Sequence, residues 1–428
     1  MKIKVKSLLI FVIYYSIFFR FFVDFFHFPS ALRYVIDLIF LMLSMCAVNG
    51  KRKLNKIQRG IFNFIIIFYL LCVATYFMNF ESLIYLIYGS IFRFRYYLFI
   101  LLCCLFLNSD DVDDITKNLN VIFYINAVVA YYQHFVHGLF GDYLGGVFGN
   151  TLGCNAYLNM YMITILTISV VKFLHKQEKI QYLLLKILIA LSLAAFSELK
   201  VFFIEFIVLA LFALFFTGFS WRKIALTVGV GLGLVVGYVI FSKMYYYADA
   251  FLKFESWIQI ATASGYSAGY SGITGETNRL TFITFMNERF LLSPIEKLFG
   301  LGLGNCSFST LSIFNTPFYD RNSFTRYEWF ASAHTYLELG WMGLGMFVGF
   351  LVMVYSKAKH LVDKNVGREK QNVWCDITQV LCVMALVLFL YNNSLTLESA
   401  FVFYFVLIIP FIKRRNRIEC IGESKVIH

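Results

Sequence analysis

One stretch, HTYLELGWMGLGMFVGFLVMVY at residues 334–355, decides the fold class. Apart from His334 and Glu338 near its start, it contains no His, Asp, Glu, Lys or Arg. A helix needs about 20 mainly apolar residues to cross roughly 30 Å of hydrocarbon. The length and composition of this run are therefore typical of a membrane-spanning helix.

Similar apolar runs recur along the chain, which is 60% hydrophobic and only 14% charged, with a mean hydropathy of +0.72. This composition leaves too little polar surface to cover a soluble globule. Strands of a membrane β-barrel would be shorter and alternating, so continuous runs predict an all-α, polytopic bundle of about twelve spans. The predicted spans are 7–26, 31–49, 61–79, 83–107, 119–137, 155–172, 180–197, 199–219, 223–243, 334–355, 374–392 and 396–412.

The distribution of Lys and Arg predicts cytoplasmic N- and C-termini. With this orientation the cytoplasmic segments hold 24 of the 37 basic and 9 of the 25 acidic residues, so they carry 24 − 9 = +15. All other residues carry 13 − 16 = −3, as the positive-inside rule requires. Short basic loops that meet anionic headgroups explain the net +12 without nucleic acid. The cytoplasmic segments are 1–6, 51–59, 108–118, 172–179, 220–223, 356–373 and 413–428.

This topology divides the chain into three parts. Residues 1–243 carry nine spans, 244–333 form one large loop outside the cytoplasm, and 334–428 carry three spans and a basic cytoplasmic tail. The loop is rich in aromatic residues, has helix-like sequence from Glu276 to Leu291, and contains a predicted sharp turn, GLGLGN, at Gly300–Asn305. We expect this loop to close over the active site.

Two groups of cations in or beside the spans need an explanation, because buried charge in a membrane is costly. Arg93 and Arg95 lie about ten residues into a predicted span. Either residues 81–95 form an interfacial segment, which we favour for at least one arginine, or both line the interior and bind an anion. Lys200 lies in a tight outside turn, where it faces a water-filled cavity or anchors the helix end beside Glu198.

Three further side chains suggest a reactive site at the end of the loop. The imidazole of His334 is able to donate or accept a proton. Glu338, four residues on and on the same helix face, either orients it, acts as a base, or is a paired interfacial carboxylate. Arg279 heads the helix-like stretch, where a guanidinium binds phosphate oxygens or is simply solvated. The cysteines show no metal or redox spacing, so no metal and no cofactor is predicted.

Several of these features together resemble the O-antigen polymerase and ligase superfamily over roughly residues 145–350. Its members are GT-C type helical-bundle glycosyltransferases that transfer glycans from undecaprenyl diphosphate at the outer face of the inner membrane. The resemblance implies a protein of the bacterial inner membrane with its site facing the periplasm. The features are Lys200 in its turn, Arg279, the GLGLGN turn, Ala333–His334, and Phe148–Thr151 followed by Asn155–Ala156.

The resemblance also implies roles for individual residues. Arg279 and Lys200, with Arg93 and Arg95 if these line the interior, would bind the donor diphosphate, and His334 would lie at the reaction centre, with Glu338 as the other candidate base. The family usually has Arg in place of Lys200, and Lys cannot form a bidentate fork.

The implied function is an inverting O-antigen polymerase. An O-antigen ligase that transfers the glycan to lipid A core is the first alternative, and a polysaccharide flippase or transporter is the second. Expected partners are undecaprenyl-diphosphate-linked oligosaccharide donor and acceptor, membrane lipids and a chain-length regulator, with no nucleic acid.

Overall fold

The computed structural model describes residues 5–48, 54–77, 79, 82–217, 223, 229, 231, 275–309, 311–364 and 369–412. Within these residues it is all-helical and has no β-strand, which confirms the all-α class. The α-helices are α1 (Val5–Phe26), α2 (Tyr34–Val48), α3 (Lys56–Tyr76), α4 (Leu83–Phe106), α5 (Ser109–Phe135), α6 (Cys154–Leu174), α7 (Ile180–Phe196), α8 (Lys200–Phe216), α9 (Phe282–Arg289), α10 (Pro294–Phe299), α11 (Pro317–Asn322), α12 (Ala331–Lys364), α13 (Glu369–Tyr391) and α14 (Ala400–Ile408).

Six helices among the described residues are long and apolar enough to cross a membrane: α1, α3, α4, α6, α12 and α13. Helices α7 and α14 are apolar but shorter. Eleven of the twelve predicted spans coincide with helices, and the twelfth, 223–243, lies outside the described residues except for isolated positions. Residues 244–274 of the predicted loop and the basic tail 413–428 also lie outside them.

Helix α5 begins earlier than the predicted span 119–137, at Ser109. The Asn108 side chain accepts hydrogen bonds from the N–H groups of Asp110 and Asp111, and the Asp111 carboxylate accepts one from the N–H of Asn108. Carboxylates are favourable at a helix N-terminus, where they satisfy unpaired N–H groups. The acidic stretch predicted as a cytoplasmic segment is therefore the first turns of α5.

Helix α6 is the central helix of the bundle. Nineteen of its side chains are buried, and it contacts α5, α7, α8, α13 and α14. A helix that is apolar on all sides is stable only when other helices surround it. Its neighbours cover α6 along its whole length, so the two ends of the bundle are separated by the length of this helix.

The described part of the predicted loop packs onto the first turns of α12. Its apolar side chains form a second buried cluster that includes Phe285, Met286 and Tyr327, together with Phe330 and Tyr336 at the start of α12. The helix-like sequence from Glu276 to Leu291 is confirmed in part, since α9 is shorter and begins at Phe282. The described part of the loop therefore covers the N-terminal end of α12 as a folded layer.

Helix α12 bends sharply at Gly340, whose φ of 58° and ψ of −153° are not helical. The bend leaves the carbonyls of Leu337 and Glu338 for other donors. They accept hydrogen bonds, both 2.9 Å long, from the N–H groups of Leu301 and Gly302. These donors belong to the GLGLGN segment, whose predicted turn is confirmed. The kink is tolerated because this turn supplies hydrogen-bond donors to the carbonyls that the kink frees.

Replacing Gly340 by Ala should destabilise the protein by about 3 kcal/mol or more, because only glycine adopts this conformation without strain and a Cβ would overpack the site. The Cβ would lie 2.5 Å from the carbonyl carbon of Leu298. Gly345→Ala in the same helix is the matched control, since its Cβ meets no atom within 4 Å. Thermal unfolding in detergent should show a large loss of Tm for Gly340→Ala alone, and equal Tm values for the two variants would contradict the role of the kink.

Candidate functional site

A cavity of about 290 Å³ opens at the N-terminal end of α6. We call it the arginine cavity. Its wall combines cations, carboxylates, amides and aromatic rings, a mixture that suits a polar ligand with an anionic part. The residues that give it this character are Arg20, Arg279, Asp142, Glu198, Asn155, Asn392, Asn393, Tyr157, Trp329, Phe330 and Tyr391.

Arg279 is held at the cavity wall by the end of α13. Its Nε–H donates to the Tyr391 carbonyl at 2.9 Å, and its guanidinium carbon lies 4.0 Å from the centre of the Tyr391 ring and 5.4 Å from that of Phe330. Tyr391 is the last residue of α13, so the cation also lies at the negative end of that helix dipole. The predicted anion-binding residue therefore has a fixed position on the cavity.

Arg20 of α1 is the second cation of the cavity. It donates to Thr151 Oγ1 at 2.8 Å, its guanidinium carbon lies 5.2 Å from the Tyr157 ring centre, and its Nε is buried without a hydrogen-bond partner. One turn further on, Asp24 accepts from the N–H of Asn150 and the hydroxyl of Thr151. Sequence reasoning missed Arg20, although an arginine inside the first predicted span was the signal.

Two carboxylates line the cavity, Asp142 and Glu198. Asn155 Nδ2 donates to Asp142 Oδ1 at 2.6 Å. Glu198 has a φ of 52°, a left-handed conformation that a residue with a side chain adopts at a cost. The predicted cation Lys200 follows in the same turn and its N–H donates to the Glu198 carbonyl at 2.8 Å, but Lys200 adjoins the cavity and does not line it.

His334 and Glu338 lie together in a second, buried group. Arg93 donates through Nη2 to Glu338 Oε2 at 2.6 Å and through Nη1 to Thr335 Oγ1 at 2.8 Å. Ser307 donates to Glu338 Oε1 at 3.2 Å. His334 Nε2 lies 3.3 Å from the same oxygen, at an angle that does not form a hydrogen bond. The structure therefore brings three of the predicted residues together, with Arg93 as the ion-pair partner of Glu338.

Aromatic rings enclose His334, which is only 4% exposed. The ring centres of Phe92, Phe308 and Tyr327 lie 5.8–6.1 Å from that of the imidazole. The N–H at the start of α12 donates to the carbonyl of Asn392, which lines the arginine cavity. His334 therefore lies one helical turn behind the cavity wall.

Arg95 belongs to a third group, centred on the Glu398 carboxylate. Glu398 Oε1 lies 2.8 Å from Arg33 Nη2 and 3.8 Å from Arg95 Nη2, and Oε2 accepts a hydrogen bond from the Tyr157 hydroxyl at 2.9 Å. Arg95 Nη1 also lies 3.7 Å from Asp37 Oδ1. Because the Tyr157 ring lines the arginine cavity, this buried network supports the cavity wall.

The structure bears on the two alternatives for the arginines of α4. The helix runs unbroken from Leu83 through both, and the side chains of Arg93 and Arg95 are only 11% and 3% exposed. This favours the interior interpretation over the interfacial one. The predicted residues thus fall in three places: Arg279 at the arginine cavity with Lys200 beside it, Arg93 with His334 and Glu338, and Arg95 with Glu398.

No three His, Cys, Asp or Glu side chains cluster as potential metal ligands in the part of the chain that the structure describes. The cations that line the arginine cavity are two guanidiniums, a type of group that suits an anion. The absence of a metal and of a cofactor stays a prediction.

Compared with known proteins, the chain matches no family model and no curated sequence. The resemblance to the polymerase and ligase superfamily therefore rests on the residues quoted for it. The geometry of the cavity provides a separate basis for a functional proposal.

Replacing Glu398 by Gln should destabilise the protein by about 3 kcal/mol, because removing one partner of a buried ion pair leaves the other charge uncompensated. Arg33 would lose the carboxylate charge, and the amide would present one oxygen in place of the two that now face Arg33 and Tyr157 separately. Thermal unfolding in detergent should show a Tm lower by about 5 °C or more. Glu288→Gln is the control, since this glutamate of α9 is exposed. An unchanged Tm in Glu398→Gln would show that the network does not support the fold.

Proposed function

We propose that the protein is a glycosyltransferase that joins lipid-linked oligosaccharide repeat units at the outer face of the bacterial inner membrane, as an O-antigen polymerase does. The arginine cavity carries this proposal. It places two fixed guanidiniums, two carboxylates, three amides and four aromatic rings around one space. A diphosphate-linked sugar requires this combination, because the diphosphate is anionic and the sugar presents hydroxyl groups and apolar ring faces.

In this proposal the diphosphate of the donor is bound by Arg279 and Arg20, which both line the cavity. Guanidinium groups bind phosphate oxygens through paired N–H donors, and both arginines are held by hydrogen bonds and ring contacts. Negative charge grows on the diphosphate as its bond to the sugar breaks. Cations that are already in position stabilise that transition state more than the ground state. Lys200, beside the cavity, adds positive charge at the same end of the bundle.

The proposed reaction is an inverting displacement at the anomeric carbon of the donor sugar. The acceptor hydroxyl oxygen forms the new bond, the bond to the diphosphate breaks, and undecaprenyl diphosphate leaves with the electron pair. The hydroxyl proton passes to a carboxylate. Glu198 is the base that the geometry favours, because it lines the cavity from a strained turn, whereas Asp142 already accepts a hydrogen bond from Asn155.

His334 and Glu338 keep a place in this proposal, although they do not line the cavity. Their catalytic role, implied by the resemblance, stays a prediction, since catalytic contacts often form only when substrate binds. Their position one turn behind Phe330 and Asn392 also suits a positioning role. In that role the Arg93–Glu338 ion pair fixes the first turns of α12, and these turns fix the cavity wall.

The two alternatives make different predictions for the cell. A ligase would use the same donor and a lipid A core acceptor, so its loss would leave the core bare, whereas loss of a polymerase leaves core capped by one repeat. A transporter would keep its ionisable residues near the middle of broken helices. Arg279, Glu198 and Asp142 lie in connections between helices instead, which favours the enzyme. The buried Arg93, whose partner Glu338 lies beside the break in α12, is the feature that favours a transporter.

We expect Arg20→Met and Arg279→Met to reduce repeat-unit polymerisation about 100-fold each, the usual effect of losing one preorganised group that stabilises developing charge. The measurement is the glycan ladder of a strain in which the variant replaces the native gene. Glu198→Gln should also leave lipid A core capped by a single repeat, because the glutamine amide cannot take the proton of the acceptor hydroxyl.

Arg289→Met is the matched control. Arg289 also stacks on aromatic rings, those of Phe285, Phe290 and Phe324, but it does not line the cavity. It should leave the ladder normal. Normal ladders in both cavity arginine variants at wild-type protein levels would overturn the proposed site, and a ladder lost in His334→Gln but kept in Glu198→Gln would move the base to His334.

A further inference from the structure

A second and larger cavity, of about 510 Å³, opens at the other end of α6. It lies between α5, α6 and α7, and we call it the lysine cavity because Lys117, Lys172 and Lys186 line it. Tyr157 at the arginine cavity and Lys172 are 15 residues apart on α6, or about 22 Å along the helix axis. The two cavities therefore lie at opposite ends of the bundle, and the lysine cavity lies at the end predicted to be cytoplasmic.

Lys186 gives this cavity a buried cation. It is the one charged residue of α7 and only 3% exposed. Its ammonium donates to Ser169 Oγ at 2.6 Å and to Glu178 Oε1 at 2.8 Å. A lysine that is buried in an apolar helix is expensive and, as a rule, marks a functional pathway or binding site. Here the ion pair forms part of the cavity wall.

The charges of the cavity add up to one net positive charge. Three lysines line it together with two carboxylates, Asp113 and Glu178, so the sum is 3 − 2 = +1. A single phosphodiester, with one negative charge, balances it. A zwitterionic headgroup would bring its own positive charge next to the lysines, and it is therefore disfavoured.

Ile165, Ile168 and Leu185 form an apolar part of the cavity wall, and the rest consists of the uncharged polar side chains of Thr116, Asn120, Tyr124, Gln177 and Tyr182. The volume of about 510 Å³ lies within the range of ligand-binding cavities. A soluble anion would contact only the lysines. A lipid would contact both the lysines, through its phosphate, and the apolar part of the wall, through the start of its acyl chains. Basic cavities between membrane helices at the cytoplasmic side are known to bind anionic headgroups.

We propose that the lysine cavity binds the headgroup phosphodiester of an anionic phospholipid from the cytoplasmic leaflet. The site would anchor α5, α6 and α7 to the lipid surface at the end of the bundle opposite the arginine cavity. This inference does not depend on glycosyl transfer, so it stands or falls separately from the proposed function.

Retained lipid on the purified full-length protein tests the proposal. The protein is extracted from bilayers that contain equal amounts of phosphatidylglycerol and phosphatidylcholine, and bound lipid is counted by native mass spectrometry. We expect phosphatidylglycerol to be retained and phosphatidylcholine to be lost. Lys117→Gln should weaken retention about 5-fold, and Lys117→Gln with Lys172→Gln about 20-fold or more, since each lysine near an anionic lipid contributes a factor of about 5.

The control removes the same number of charges from the neighbouring turn. Lys176 and Lys179 are exposed and do not line the cavity, so the double variant Lys176→Gln with Lys179→Gln should retain phosphatidylglycerol within about 2-fold of wild type. Because Lys117 is exposed, its replacement tests the site without disturbing the core.

Three results would overturn the proposal. Equal retention of the two lipids would show that the cavity does not select charge. Equal losses in the cavity and control variants would reduce the effect to general surface charge. A soluble anion would be the ligand if wild-type protein retained inorganic phosphate, the cavity variant lost that phosphate, and both retained the same lipid.

Discussion

The Glu398 carboxylate forms the contacts on which the end of the bundle with the arginine cavity depends. It lies in the short connection between α13 and α14 and joins three other parts of the chain: Arg33 before α2, Arg95 of α4 and Tyr157 of α6. Charges inside a membrane protein are stable only when they are paired with one another. Since Tyr157 also carries the ring beneath Arg20, the same carboxylate that compensates the buried arginines also fixes one wall of the arginine cavity.

A second constraint acts on the opposite wall. The kink at Gly340 frees two carbonyls of α12, and N–H groups of the glycine-rich turn donate hydrogen bonds to them. The loop is thereby bonded to the helix that it covers. Helix α12 in turn begins with a hydrogen bond to Asn392 of the cavity. Loop, kinked helix and cavity wall are thus one connected unit. Through this connection the first turns of α12, which carry His334, are joined to the cavity wall.

The helices and the turn were predictable because they follow from local patterns: run length for α12, and glycine spacing for the turn at residues 300–305. The start of α5 falls in the predicted cytoplasmic segment 108–118, because its four aspartates exclude it from an apolar run, whereas the cap formed by Asn108 makes it helical. Among the site residues, Arg279 was found from its position beside a helix. Arg20 and Glu198 reach the cavity only through packing between α1, α6 and the turn before α8, which no periodicity in the sequence encodes.

In the proposed function, the protein itself forms glycosidic bonds between lipid-linked units at the arginine cavity. Purified protein in detergent, supplied with undecaprenyl-diphosphate-linked repeat units, tests it most directly, because a detergent solution has no compartments between which to transport. Gel or mass analysis should show lipid-linked glycans of two or more repeats for the wild type and single repeats for a variant without Arg279. No elongation by folded wild-type protein, together with movement of the same substrate across vesicle membranes, would contradict the account.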